Sequence, residues 1–103
     1  MESEKGPQRY ISLMRLTAKG LAELSDSASR RKTSEDRVAA LGGRSISFYA
    51  VMGIYDFVQV FEMPSNEAMM QYVLTARRDG HVEPLILPAF DTQTYGDIVG
   101  RIK

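Results

Sequence analysis

Two β-rich runs separated by a few residues constrain this chain more than any other feature. Ser45 to Val51 reads SISFYAV and Phe57 to Glu62 reads FVQVFE. Both are rich in β-branched and aromatic residues, which fit a pleated surface. The connection between them, Met52-Gly53-Ile54-Tyr55-Asp56, is short and contains glycine. Such a pair predicts an antiparallel hairpin. A fold must therefore be built around two adjacent strands near the middle of the chain.

The flanking segments supply the other layers. Tyr10 to Leu16 is the first strand, with Ile11 and Leu13 alternating against Tyr10, Ser12 and Met14. Thr17 suits a helix N-cap, and Ala18, Leu21, Ala22 and Leu24 support one or two helical turns. Ser25-Asp26-Ser27 interrupts them with residues that favour caps and turns. A second helix is expected from about Ala28 to Leu41, ended by Gly42-Gly43. Its apolar stripe is thin, so its arginines and acids read as a solvated surface. After the hairpin, Pro64 stops the strand and Ser65 caps a helix. Ala68, Met69, Tyr72, Val73 and Ala76 form the clearest amphipathic stripe in the sequence. Gly80 ends that helix. His81 to Phe90 is a last strand, and Pro84 and Pro88 place it at a sheet edge. Residues 1–9 read as a flexible arm. Residues 92–103 read as a tail in which Tyr95, Ile98, Val99 and Ile102 could form one face of a short helix.

The order strand, helix, strand, strand, helix, strand is the α+β, ferredoxin-like βαββαβ plan. It gives a four-stranded antiparallel sheet with helices on one face. The length of 103 residues allows one domain and one core. The formal net charge of +0 provides no basic footprint for nucleic acid or for a membrane surface. Cysteine is absent, which excludes disulfides and thiolate metal sites. With no long apolar run and no signal-peptide core, a soluble cytoplasmic protein is expected.

Several short motifs occur together in a fixed order. They are YISLMRLTAKGL, the SDSASRR break, the LGG helix end, the turn Gly53-Ile54-Tyr55-Asp56, VFEMPSNEAM, Gly80-His81-Val82 and Ala89-Phe90. In these the chain, over about residues 10–92, resembles the GYD-domain family, named for its Gly-x-Tyr-Asp turn. Ser65-Asn66 departs from the acidic pair usual after the proline. The resemblance implies a fold of the dimeric α+β barrel type and carries no general reaction with it.

Strand parity divides the sheet into two faces. Ile11, Leu13, Ile46, Phe48, Ala50, Val58, Val60, Leu85 and Leu87 are expected to meet the helices. Tyr10, Ser12, Met14, Ser47, Tyr49, Val51, Tyr55, Phe57, Gln59, Phe61, Ile86 and Phe90 are expected on the uncovered face. An apolar surface of that size normally marks an interaction site, and a second copy of the chain is its simplest cover. Ser12, Tyr49, Tyr55 and Gln59 place polar groups among apolar walls, joined by Met14, Phe57 and Phe61. Two readings fit this mixture: hydrogen bonding across a dimer interface, or the lining of a small-molecule cavity.

Arg15, Asp56 and His81 are expected at one rim of the sheet. A carboxylate there could fix the tautomer of the imidazole and make it a proton carrier. The competing reading is an Arg15–Asp56 ion pair of structural value only, with His81 capping or solvated. His81 is the one histidine, so a multi-histidine metal site within a subunit is excluded. Nothing in the spacing of Glu62 and Glu83 requires a metal, and no motif calls for a cofactor. Arg30-Arg31-Lys32 could hold a phosphate, but a charge run on a helix is more often a solvated face. The leading expectation is a homodimer that binds a small apolar or aromatic metabolite, with cofactor-free proton transfer such as isomerisation or cyclisation. The alternative is a non-catalytic assembly or regulatory module. RNA binding is disfavoured by the missing positive charge and by Ser12 at a platform position.

Overall fold

The computed structural model describes residues 7–103. The arm expected over residues 1–9 lies outside the described residues as far as residue 6. Gln8 and Arg9 already belong to the first strand.

The elements are β1 (Gln8–Leu16), α1 (Ala18–Ala22), a 3-10 turn (Leu24–Asp26), α2 (Ser27–Ala40), β2 (Arg44–Ala50), β3 (Phe57–Met63), α3 (Asn66–Asp79), β4 (Val82–Ala89) and α4 (Thr92–Gly100). The strands form one antiparallel sheet in the order β2-β3-β1-β4, so β4, which carries both prolines, is an edge. This is the α+β, ferredoxin-like arrangement expected from the sequence. Local chemistry explains the boundaries. The Thr17 hydroxyl accepts from Gly20 N, the Ser65 hydroxyl accepts from Ala68 N, and the Asp91 side chain accepts from Thr94 N. Gly80 closes α3 in the left-handed conformation at φ 76°. The Asp91 cap is what secures α4 despite Gly96 and Gly100. That helix contains no buried residue, and the molecule extends over 52 × 29 × 18 Å. Among the described residues no helix is long and apolar enough to cross a membrane.

The two sheet faces are the reverse of the sequence expectation for most positions. Tyr10, Ser12, Met14, Gln59 and Phe61 are buried beneath the helices. Ile11, Leu13, Val58, Val60, Leu85 and Leu87 have the opposite parity and form the open face. The reason is that β1, β3 and β4 are apolar on both sides, so alternation alone carries no direction. Phe48 and Ala50 do lie on the covered side. They get there through a bulge between Ser45 and Ser47, after which Phe48 pairs with Gln59 and Tyr49 with Val58. Tyr49 consequently faces outward, 63% exposed.

The core occupies only one end of the covered face. Tyr10, Phe61 and Met63 from the sheet meet Val38 of α2 and Met69, Tyr72 and Val73 of α3. Phe61 and Tyr72 pack edge to face at 5.5 Å between ring centroids, an arrangement that contributes about 0.5–1.5 kcal/mol beyond area burial. Gly43 brings the end of α2 onto the sheet so closely that a Cβ would fall 2.5 Å from the Glu62 carbonyl oxygen.

Candidate functional site

Beyond the core, the same face of the sheet runs under a cavity of about 470 Å³, within the range of small-molecule sites. Two cross-strand rows make its floor. One row carries Phe48, Gln59 and Ser12 side by side, and the next carries Phe57, Met14 and Pro84. The sides come from Leu16, Val82, His81, Tyr72, Ala76 and Asp79. The roof is α2, through Ser27, Arg30, Arg31, Ser34 and Arg37 among others.

The floor is mostly apolar, with two exceptions. Ser12 is 1% exposed and Gln59 is 2% exposed. Neither Ser12 Oγ nor Gln59 Nε2 has a hydrogen-bond partner. Buried polar atoms are almost always paired, because an unpaired one forfeits its hydration without return. Two such atoms on neighbouring strands, both at the floor of one cavity, are the most unusual feature of the chain.

The walls, by contrast, are already paired. Arg37 donates to Asp79 at 2.6 Å, and this bond, followed by the charge of the same guanidinium, holds Asp79 below its ordinary pKa of 3.8. Arg31 pairs with Glu35 at 2.8 Å and lies over the Phe48 ring, 4.1 Å from its centroid. The hydroxyls of Ser34 and Tyr72 bond to each other, and burial raises the Tyr72 pKa above 10.0. His81 Nε2 lies 2.8 Å from Glu23 Oε1. A carboxylate can only accept, so Nε2 carries the proton and Nδ1 of the neutral ring is left as an acceptor. That hydrogen bond is the main cause of the lowered Glu23 pKa. His81 is set in place by α1. Thr17 N donates to its carbonyl at 3.1 Å, and Gly20 approaches so closely that any Cβ would overlap that oxygen.

The Gly53-Ile54-Tyr55-Asp56 turn lies outside the cavity. Gly53 has φ 134°, a conformation that other residues rarely adopt. Asp56 fastens the turn to β1: its Oδ2 accepts from Leu16 N at 2.8 Å and its own N donates to Met14 O at 2.8 Å. Arg15 Nε donates to Ile54 O at 2.8 Å, and its guanidinium stands 5.7 Å from the Tyr55 ring centroid. A family model for the GYD domain matches residues 10–99. The chain belongs to the GYD-domain family. No curated protein and no solved structure matches it.

In this GYD domain the expected Arg15, Asp56 and His81 constellation is not assembled. Arg15 and Asp56 are occupied in holding the turn, and Glu23 is the carboxylate that meets His81. Of the expected ligand-binding residues, Ser12, Met14, Phe57 and Gln59 line the cavity together. Phe61 is fully buried in the core, Tyr49 faces outward, and Tyr55 sits in the turn against Arg15. Ser34, Arg37, Tyr72, Asp79 and Glu23 are not indicated as site residues by the sequence, and Arg30 and Arg31 only as part of a run that could hold a phosphate. The signal for the α2 residues was the thin apolar stripe of a helix that the topology lays over the sheet. Lys32, by contrast, pairs with Asp36 on the solvent side. Among the described residues no group of His, Asp and Glu could hold a metal ion.

Proposed function

We propose that this GYD domain binds a small organic molecule with an apolar or aromatic body in the cavity between its sheet and α2. The observation that carries the reading is the pair of unpartnered buried atoms, Ser12 Oγ and Gln59 Nε2, at the cavity floor. Apolar walls with a few convergent polar groups are the usual make-up of such sites. His81, held by Glu23 at the cavity wall, is the group suited to proton transfer on a bound molecule, of the kind that isomerases and cyclases perform without a cofactor.

The reading includes a homodimer formed through the open sheet face. Two apolar rows support it: Tyr49, Val58, Leu13 and Leu85, then Val60, Ile11 and Leu87. The exposed hairpin tip adds Met52 and Ile54, 101% and 71% exposed. The barrel plan implied by the family resemblance buries this face. An assembly module without a ligand is the second reading, and the same apolar rows favour it.

Native mass spectrometry separates these readings. A dimer carrying added small-molecule mass, or taking it up from a mixture of aromatic metabolites, is the expected result. A dimer that neither carries nor takes up mass refutes the ligand reading. A monomer refutes the pairing, and Leu13→Glu should produce that monomer from a wild-type dimer.

A further inference from the structure

The chemical class of the ligand can be read from the roof of the cavity, given the binding reading above. A helix that covers a sheet normally presents an apolar stripe to it. In α2 only Val38 is buried. The half-buried positions of α2 are Ser27, Arg30, Arg31, Ser34, Glu35 and Arg37, and all of these but Glu35 line the cavity. Three arginines and a single carboxylate, that of Asp79, therefore line one space.

The charges do not balance locally. Asp79 is taken by Arg37, and Arg31 has Glu35 outside the lining. Arg30 forms no ion pair among the described residues; the nearby Glu23 carboxylate, which its charge helps to hold below the ordinary pKa, is hydrogen-bonded to His81 instead. Arg30 donates through Nη1 to the Glu23 carbonyl at 2.8 Å and through Nη2 to the Gly20 carbonyl at 3.5 Å. A guanidinium has five N–H donors and accepts nothing, so Arg30 keeps donors and a full positive charge beside an apolar floor. The field of such a charge is less screened there than in bulk water. The unpartnered Gln59 Nε2 is a donor as well. The unmet polar demand of the cavity is thus for acceptors, and for negative charge at its roof.

We propose that the ligand is a small amphipathic carboxylate. Its ring or alicyclic body would lie against Met14, Phe57 and Phe48, and its carboxylate would take the charge of Arg30. The planar fork of arginine matches a carboxylate in two parallel hydrogen bonds, which a neutral amide or alcohol does not reproduce.

The chain has no tryptophan, so an indole probe can be followed by its own fluorescence. Indole-3-acetate and indole-3-acetamide have nearly the same shape and differ in charge. Titrated with full-length protein and read by anisotropy, the acetate should bind about tenfold tighter than the acetamide, as loss of a charged hydrogen bond dictates. In Arg30→Gln the ratio of acetate to acetamide affinity should fall to about one, whatever the change common to both probes, and Arg30→Lys should restore part of the ratio. Equal affinities in the wild type, both abolished by Gln59→Leu, would overturn the carboxylate assignment and leave the cavity reading standing. A wild-type preference that survives in Arg30→Gln would overturn the role of Arg30. Binding of neither probe would overturn the cavity reading and this one together.

Discussion

Gln59→Leu should make the protein more stable and less able to bind. Gln59 is 2% exposed and its Nε2 has no partner. A buried amide left unsatisfied costs about 1–3 kcal/mol. Leucine has a side chain of similar reach and no polar atom, so the substitution removes that cost and adds apolar contact with Phe48 and Phe57. At the low end, ~1 kcal/mol corresponds to a rise in Tm of about 4–8 °C for a domain of this size. Scanning calorimetry of both proteins at one fixed concentration gives the shift, because any self-association makes Tm depend on concentration. Indole-3-acetate binding should be lost in the same variant, the exchange of stability for function common at binding sites. A fall in Tm of several degrees, with assembly intact, would refute the reasoning. It would mean that the amide is satisfied in the folded protein and that the floor is held together by it.

Two further outcomes test the frame of the site. Gly20→Ala forces a methyl group into the His81 carbonyl, a backbone atom that cannot turn aside; the expected loss is about 1–3 kcal/mol in urea unfolding, and an unchanged midpoint would contradict the close approach of α1 to β4. The hydrogen bond from Arg9, then that from Arg44, holds Glu62 below its ordinary pKa of 4.5. A carboxylate depressed on folding stabilises fully above its unfolded pKa, and that contribution is lost as pH falls through the folded one. Glu62→Gln should therefore flatten the decline of stability below about pH 4.5, measured by circular dichroism across an acid series. Identical acid limbs in both proteins would exclude Glu62 from the linkage.

The plan of the fold was legible because its signals are local. Thr17 and Ser65 are caps, Gly80 is a left-handed stop, and Met69, Tyr72 and Val73 recur on one helical face. Pro84 and Pro88 are compatible only with an edge. The direction of the sheet was not legible. Ile11 and Leu13 are as apolar as Tyr10 and Met14, and only the packing against α2 and α3 decides which set is covered. The bulge after Ser45 then shifts the phase within β2, so Tyr49 could not be placed by counting in twos. Ser12, Met14, Phe57 and Gln59 still share one face, because a period of two survives a reversal of faces. The pairing of His81 with Glu23 depends on where α1 docks, which nothing near either residue encodes.

The fastening of α2 is uneven. Its C-terminal end is anchored by Val38 in the core and by Gly43 pressed onto β3. Its first turns are held over the sheet by polar contacts, with Arg30 on the carbonyls of Gly20 and Glu23 as the principal tie to α1. Segments with few buried apolar contacts open at a small fraction of the global unfolding free energy. Opening of the Ser27–Ser34 stretch would uncover the cavity while Tyr10, Phe61 and Tyr72 stayed packed. Exchange of a molecule bound there would then need no disruption of the core, and its rate would be set by a few polar contacts rather than by the stability of the domain.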